Sequence, residues 1–207
     1  MKEEVSVTAT LRQALGMLGL LTLLTGVVYP LVMTGLARLT MSSRADGNPM
    51  VLAGQLVGSE LVGQSFDDPQ HFWGRPSATE PVPYRADASS GSNLSPFGKA
   101  FHEQAAARTD ALRKADPGNN TPVPIDLVTA SASGLDPHIS PQAAYYQASR
   151  VAHARAISVD RVRQLVDDHL ERPTWGFLGQ PRVNVLMLNL ALEQELLDRP
   201  KPSRGAQ

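Results

Sequence analysis

The chain has 207 residues, room for one domain or for one domain with an appendage. Nineteen Lys and Arg against twenty Asp and Glu leave a formal charge of -1, which excludes a protein drawn to nucleic acid by its overall charge. Cysteine is absent, removing disulfide scaffolds, Cys-ligated zinc, iron–sulfur clusters and thiol catalysis, and a mean hydropathy of -0.17 excludes a chain that threads the membrane many times.

Residues 1–10 read as a short N-terminal tail and residues 11–38 as a transmembrane helix. No charged residue or histidine lies between Arg12 and Arg38, so Gln13 to Ala37 is an uncharged run of 25 residues. At about 1.5 Å per residue it covers roughly 37 Å, enough to cross a hydrocarbon core of about 30 Å with some tilt. A cleaved signal peptide is the competing reading, but its apolar region is shorter and ends at a small-x-small site, whereas Ser43-Arg44-Ala45 lies past the run with Arg in the middle. Gly19, Thr22, Gly26 and Pro30 recur at helical spacing and form a small-residue stripe, the usual face on which a second helix docks in lipid. Gly and Pro are also common in membrane helices, which is the blander explanation. Lys2, Arg12 and the amino terminus against Arg38 and Arg44 lean slightly toward a cytoplasmic N-terminus.

Residues 39–198 read as one compact extramembrane domain of mixed helices and strands, and 199–207 as a polar tail. The fold class is therefore α/β in the broad sense (α+β), a single N-terminal transmembrane helix followed by one mixed domain. Short strands are predicted at Gln55–Val57 and Leu61–Phe66. From Asp67 to Asn93 the chain is dense in turn-formers yet holds Phe66's neighbours Phe72, Trp73 and Tyr84, so it reads as an ordered loop packed on the domain or on a partner. Ser95-Pro96 signals a helix start, and apolar spacing carries that helix to Asp116-Pro117-Gly118. Asp126–Ala130 reads as a strand, Ser140-Pro141 opens a helix reaching about Ala156, and Ser158 caps another that ends at Arg172-Pro173. Trp175–Pro181 is a turn-rich crossing, and Val183–Leu197 is either a strand leading into a helix or one long helix.

Catalytic motifs are missing. No G-x-S-x-G elbow, P-loop or dinucleotide fingerprint occurs. Asp67 and His71 are spaced as helical metal ligands, but Pro69 between them disfavours the helix. No metal site and no catalytic residue is expected. Val128 to Pro141 reads as a strand, a small-residue turn and a capped helix, which would set hydroxyls and free N–H groups where an anion such as phosphate could sit; simple capping and tight packing explain the same pattern.

Several blocks carry a resemblance. They are Thr25–Pro30, Gly58-Ser59 with Leu61–Phe66, Phe72–Thr79, Ser90–Leu94, Asp126–Pro141, Arg150–Ala152 with Ala154-Arg155, and Gly179–Val185 with Leu188–Leu192. In this order, over about residues 11–193, the sequence resembles the C subunit of the Kdp potassium-transporting ATPase, an accessory subunit of a bacterial high-affinity potassium pump. The resemblance implies a non-catalytic subunit that transports nothing alone. Its expected partners are a channel-like, potassium-conducting subunit and a P-type subunit that hydrolyses ATP. It implies that the chain holds the complex together and acts as a catalytic chaperone raising the pump subunit's affinity for ATP. No cofactor is expected on the chain alone; ATP shared with the pump subunit would fall on Ser131, Ser133 and Gly134, with Gln142. The aromatic loop around Phe72, Trp73 and Arg75 is expected to face the potassium-conducting partner. The resemblance also implies a single-pass protein of the bacterial inner membrane whose soluble domain is periplasmic or extracellular, where ATP is not available. The alternative is thus a purely structural cap on the potassium-conducting subunit, with no nucleotide contact.

Overall fold

The structure, a computed structural model, describes residues 7–52 and 54–197; residues 1–6 of the expected N-terminal tail and the whole polar tail 199–207 lie outside them. The chain divides into two compact units, one up to Pro49 and one from Met50.

The first unit is one long helical run. Helix α1 (Val7–Leu23) passes through a five-residue π-helical turn, Leu24–Val28, into α2 (Tyr29–Ala45). The cause of the wide turn is Pro30. It has no N–H to give the Gly26 carbonyl, and its ring would press on that carbonyl in a regular helix. The turn opens the ladder instead, so that the Tyr29 N–H reaches back five residues to the Leu24 carbonyl. Helical geometry breaks at Met41 (φ -148°, ψ 55°), just beyond Arg38, where the sequence turns polar. The run is long and apolar enough to cross a membrane, and none of its most apolar window is buried within the chain.

The second unit is α+β. A two-stranded sheet, β1 (Pro49–Leu52) and β2 (Gln55–Ser59), opens it, and α3 (Lys99–Ala115) follows a long irregular segment. Then come β3 (His138–Ile139), α4 (Pro141–Ala154), α5 (Val159–Asp168), β4 (Leu170–Glu171), β5 (Arg182–Asn184) and α6 (Val185–Leu197). The three short strands form an antiparallel sheet in the order β3-β5-β4, with His138 opposite Asn184 and Leu170 opposite Val183.

Helix α4 is the spine of the core. Ser140 caps it, its Oγ accepting the Ala143 N–H at 3.1 Å, and Pro141 occupies the first turn, where a missing N–H costs nothing. Ala143, Ala144, Ala148, Val151 and Ala152 are buried on it, and their small size lets neighbours approach. Ser158 caps α5 in the same manner, and Val162, Leu165 and Val166 fill the buried stripe at a spacing of three and four. Val183, Val185, Leu188 and Leu192 complete the core from β5 and α6.

Two predicted strands are not formed. Leu61–Phe66 contributes only an isolated bridge between Ser59 and Val62. Asp126–Ala130 is instead a 3-10 turn at Ile125–Leu127, because the Asp126 carboxylate accepts the Ser140 N–H at 2.7 Å and the Thr129 hydroxyl donates back to the Ile125 carbonyl at 2.8 Å. The Ser95-Pro96 signal belongs to a turn that precedes α3, whose N-cap is Gly98. At the end of the chain the strand-then-helix alternative is the one formed.

The segment Pro69–Trp73 has no strand partner, and side chains take the place of one. Asn189 of α6 accepts the Phe72 N–H at 2.8 Å and donates to the Phe72 carbonyl at 3.0 Å. Gln147 of α4 does the same for Trp73, at 2.8 and 3.1 Å. The Arg150 guanidinium donates to the carbonyls of Pro69 at 2.6 Å and His71 at 3.0 Å, and Arg155 donates to that of Gln70 at 2.5 Å. Asn189→Ala would leave both backbone groups of buried Phe72 unpaired, at about 1–3 kcal/mol each. We expect that variant to lose about 2–4 kcal/mol of stability, read as a lowered urea midpoint of the purified chain, and a midpoint unchanged from the parent would contradict the clamp.

Candidate functional site

Three places carry the candidate residues. On the membrane run, Gly19, Thr22, Gly26 and Pro30 are all exposed. A Cβ built on Gly16, Gly19, Gly26 or Gly35 would meet no atom of the chain within 4 Å, so nothing inside the molecule requires glycine there. Each glycine in a helix interior nevertheless costs about 1 kcal/mol relative to alanine.

The second place is the loop 128–136. Ser131 is buried, and its Oγ accepts the Gly134 N–H at 2.9 Å. Ser133 uses its Oγ on the Leu135 N–H at 3.1 Å and its carbonyl on the Ser90 N–H at 3.0 Å and the Ser89 hydroxyl at 3.0 Å. Gly134 sits at φ +68°, where a Cβ would lie 2.6 Å from the Ser90 carbonyl oxygen and 2.7 Å from the Thr79 methyl, and its own carbonyl accepts the Ser77 hydroxyl at 2.7 Å. Only glycine fits a left-handed turn pressed so closely on a neighbouring loop. The N–H groups of Ser131, Gly134 and Leu135 are thus engaged within the protein, and the Ser131 and Ser133 hydroxyls serve there as acceptors. Gln142 is exposed on the first turn of α4, beside Asp126, whose second carboxylate oxygen accepts the Ser140 hydroxyl at 3.2 Å. A carboxylate already occupies the electropositive end of that helix, where an incoming anion would be repelled.

Gln142 belongs to the third place, a cleft of about 450 Å³ lined also by Arg75, Asp126, Asp136, His138, Gln180 and Arg182. Its charges form a chain: Arg75 to Asp136 at 3.2 Å, His138 between Asp136 at 3.5 Å and Glu171 at 3.4 Å, and Arg182 donating to Glu171 at 2.8 Å. Burial works to raise the Asp136 carboxyl, but hydrogen bonds from the His138 side chain and N–H, with the Arg75 charge, hold it below the usual carboxylate range. Behind the cleft the Tyr84 hydroxyl donates to the Arg75 carbonyl and is pushed up to about 12, first by burial and then by the Asp136 charge, against the pull of Arg75. The groove is mixed in sign: each guanidinium is paired with a carboxylate, and Asp126 is held by Ser140 alone. Among the described residues no group of three or more His, Asp or Glu is placed to hold a metal ion, and His71 pairs with Glu193 at 3.1 Å rather than with Asp67.

The aromatic loop splits. Phe72 is fully buried in the core, so its ring presents no surface to a partner. Trp73 is half-buried with the Arg150 guanidinium 4.3 Å over its ring, and Arg75 is half-buried in the cleft. The exposed aromatics of the second unit lie elsewhere, at Phe97 ahead of α3, at Tyr145 on α4, and at Trp175 and Phe177 in the crossing between β4 and β5.

The family described as the K+-transporting ATPase, c chain (KdpC) matches residues 11–194. The chain belongs to the KdpC family. A potassium-transporting ATPase KdpC subunit of Polaromonas naphthalenivorans is 58% identical over 183 residues, covering 88% of this chain and 93% of that one. Its counterpart in Variovorax paradoxus is 57% identical over 183 residues, with 88% and 95% covered, and that in Sorangium cellulosum is 56% identical over 185 residues, with 89% and 97% covered. The KdpC match takes in the apolar run, the loop 128–136, the cleft and the β4–β5 crossing alike.

The lowered carboxyls give this KdpC-family chain a defined acid response. Burial opposes and the Arg155 and His71 contacts favour the Glu193 carboxylate, which also sits low. Both groups stabilise the fold fully above about pH 4.5, the range where unfolded carboxyls titrate, and lose that contribution as pH falls through their lowered folded values. We expect the melting temperature to fall steadily below pH 4, and Asp136→Asn to flatten part of that slope; a slope unaltered in the variant would contradict the assignment.

Proposed function

We propose that this chain is an accessory, non-catalytic subunit of a high-affinity, ATP-driven potassium transport complex, and that it assembles or stabilises that complex from the membrane. The observation that carries the reading is the unpartnered apolar run: its large apolar side chains are exposed, and its glycines serve no contact in the chain itself. Lipid gives helices no hydrophobic reason to associate, so small residues earn their place by allowing close backbone approach. The stripe Gly19, Thr22, Gly26 and Pro30 then faces a helix of another subunit. The partners in this reading are a channel-like, potassium-conducting subunit and a P-type, ATP-hydrolysing subunit, as the resemblance implies. The chain crosses the bacterial inner membrane once, with its N-terminus cytoplasmic and its second unit periplasmic.

A catalytic chaperone that raises ATP affinity by direct contact draws little support from the loop 128–136, where the Gly134 and Leu135 N–H groups are already bonded to Ser131 and Ser133 and the Asp126 carboxylate stands at the start of the next helix. The structural role without nucleotide contact is the form of the proposal that the geometry favours.

Gly26→Leu places a bulky side chain on the stripe and should cut recovery of the chain with its partner subunits about tenfold. Normal copurification of that variant would overturn the docking face. Ser133→Ala, in contrast, should leave both assembly and the ATP dependence of the assembled pump within about twofold of the parent, since an exchange of this kind perturbs only a local turn. A clear rise in the ATP requirement at full assembly would restore the direct nucleotide role.

A further inference from the structure

The wide turn in the membrane run leaves one main-chain acceptor without a donor. In a regular helix the Thr25 carbonyl would take the Tyr29 N–H, but that N–H is given to the Leu24 carbonyl. Continuing the wide turn by one residue would bring position 30 to it, and the proline there has no N–H. The Thr25 hydroxyl does not cover the carbonyl, because it donates to the Leu21 carbonyl at 2.7 Å. Among the described residues no other side chain donates to it. The peptide that carries it joins Thr25 to Gly26, and a Cβ built on Gly26 would meet nothing within 4 Å, so the approach on that side is clear.

Depth decides what covers such a group. Residues 13–24 and 26–37 put twelve uncharged positions on either side of Thr25. At about 1.5 Å per residue that sets it about 18 Å from each end of the run, against a half-thickness of about 15 Å for the hydrocarbon core. Thr25 therefore lies near the midplane of the bilayer, out of reach of headgroups and interfacial water, and acyl chains have no donor to offer. A bare peptide carbonyl is costly there and persists only where protein covers it or a water-filled cavity opens on it. The small residues beside it let another helix come close enough to set a side chain on the carbonyl. Small residues alone would allow that helix to slide by a turn; a single acceptor fixes its depth.

We propose that the Thr25 carbonyl accepts a hydrogen bond from a hydroxyl, amide or indole side chain on a membrane-spanning helix of another subunit, so that the π-helical turn is a polar latch at the centre of the small-residue face. This rests on the assembly role proposed above and names the chemistry that its membrane contact uses.

The test uses the intact complex in lipid bilayers, with the full-length chain deuterated on carbon and labelled with carbonyl-13C threonine and 15N glycine, and with its partner subunits undeuterated. Thr25–Gly26 and Thr34–Gly35 are the only Thr–Gly pairs in the sequence, so selection for bonded label pairs leaves two carbonyl signals. Proton-detected solid-state NMR should place the Thr25 carbonyl at hydrogen-bond distance from an exchangeable proton and next to carbon-bound protons, which only the partner proteins and lipid carry. Lipid is told apart by repeating the measurement with deuterated acyl chains. Thr34, inside α2, serves as the regular-helix reference and should show no such donor. Separately, Pro30→Ala restores the missing N–H and adds no bulk to the stripe, so a face that docks by shape alone would hold at least as well. The latch instead predicts about fivefold lower recovery of that variant with the partner subunits. Recovery equal to the parent's would overturn the latch and leave the assembly role standing. So would a Thr25 carbonyl that meets only water, only lipid, only a second, deuterated copy of this chain, or no donor at all in a complex containing the chain in full amount. Absence of the unsubstituted chain from the isolated complex would instead strike the assembly role itself.

Discussion

The second unit depends on a side-chain clamp around five residues of irregular backbone. The Asp67–Pro83 region is too rich in proline and glycine for a central strand, yet Phe72 must lie in the core, and its buried N–H and carbonyl need partners. The helices supply them according to what each side chain can do. Amides, which both donate and accept, take the N–H and carbonyl of Phe72 and of Trp73; guanidinium groups, which only donate, take the carbonyls of Pro69, Gln70 and His71. Gln147 and Arg150 are three apart on α4, and Asn189 and Glu193 four apart on α6, so each helix offers one polar row to the segment. Arg150 remains charged in this setting. Burial brings it down to about 10, with Asp116 and Asp68 pulling upward, still well above neutrality. A lysine could not copy it, because one ammonium cannot span two carbonyls and stack on Trp73 in the same plane.

The loops beyond the clamp are fastened to one another. Ser77 and Thr79 tie their segment to Gly134, Val82, Tyr84 and Arg85, Ser131 donates its N–H to the Pro76 carbonyl, and Ser89 and Ser90 reach Ser133. Hydroxyls and small residues concentrated in one place resemble a phosphate cradle when read as sequence. In the folded chain they are the fastening itself.

What could be read from the sequence was local. The uncharged run announces itself by composition alone, and Ser140-Pro141 and Ser158 mark their helices because a cap needs only the next three residues. Asp126–Ala130 misled because its fate is set by Ser140, fourteen residues away, for which propensity has no term. The clamp joins residues separated by as many as 117 positions, and Gln147, Arg150 and Asn189 look in isolation like ordinary polar helix residues. Phe72 and Trp73 were legible as ordered but not as inward-facing, since an apolar ring between turn-formers suits a core and an interface equally. Trp175 and Phe177 did carry a signal, an apolar stretch between two prolines with no charge in it, but a turn-rich segment gave it no obvious role.

The clamp has one more consequence. Irregular backbone near a protein surface ordinarily leaves amides and carbonyls open to any passing strand. At Pro69–Trp73 they are taken group by group: Asp68 accepts the Gln70 and His71 N–H groups in a turn, and side chains of Gln147, Arg150, Arg155 and Asn189 take the others. The turn-rich stretch thus presents no open edge, and so no template for intermolecular strand pairing.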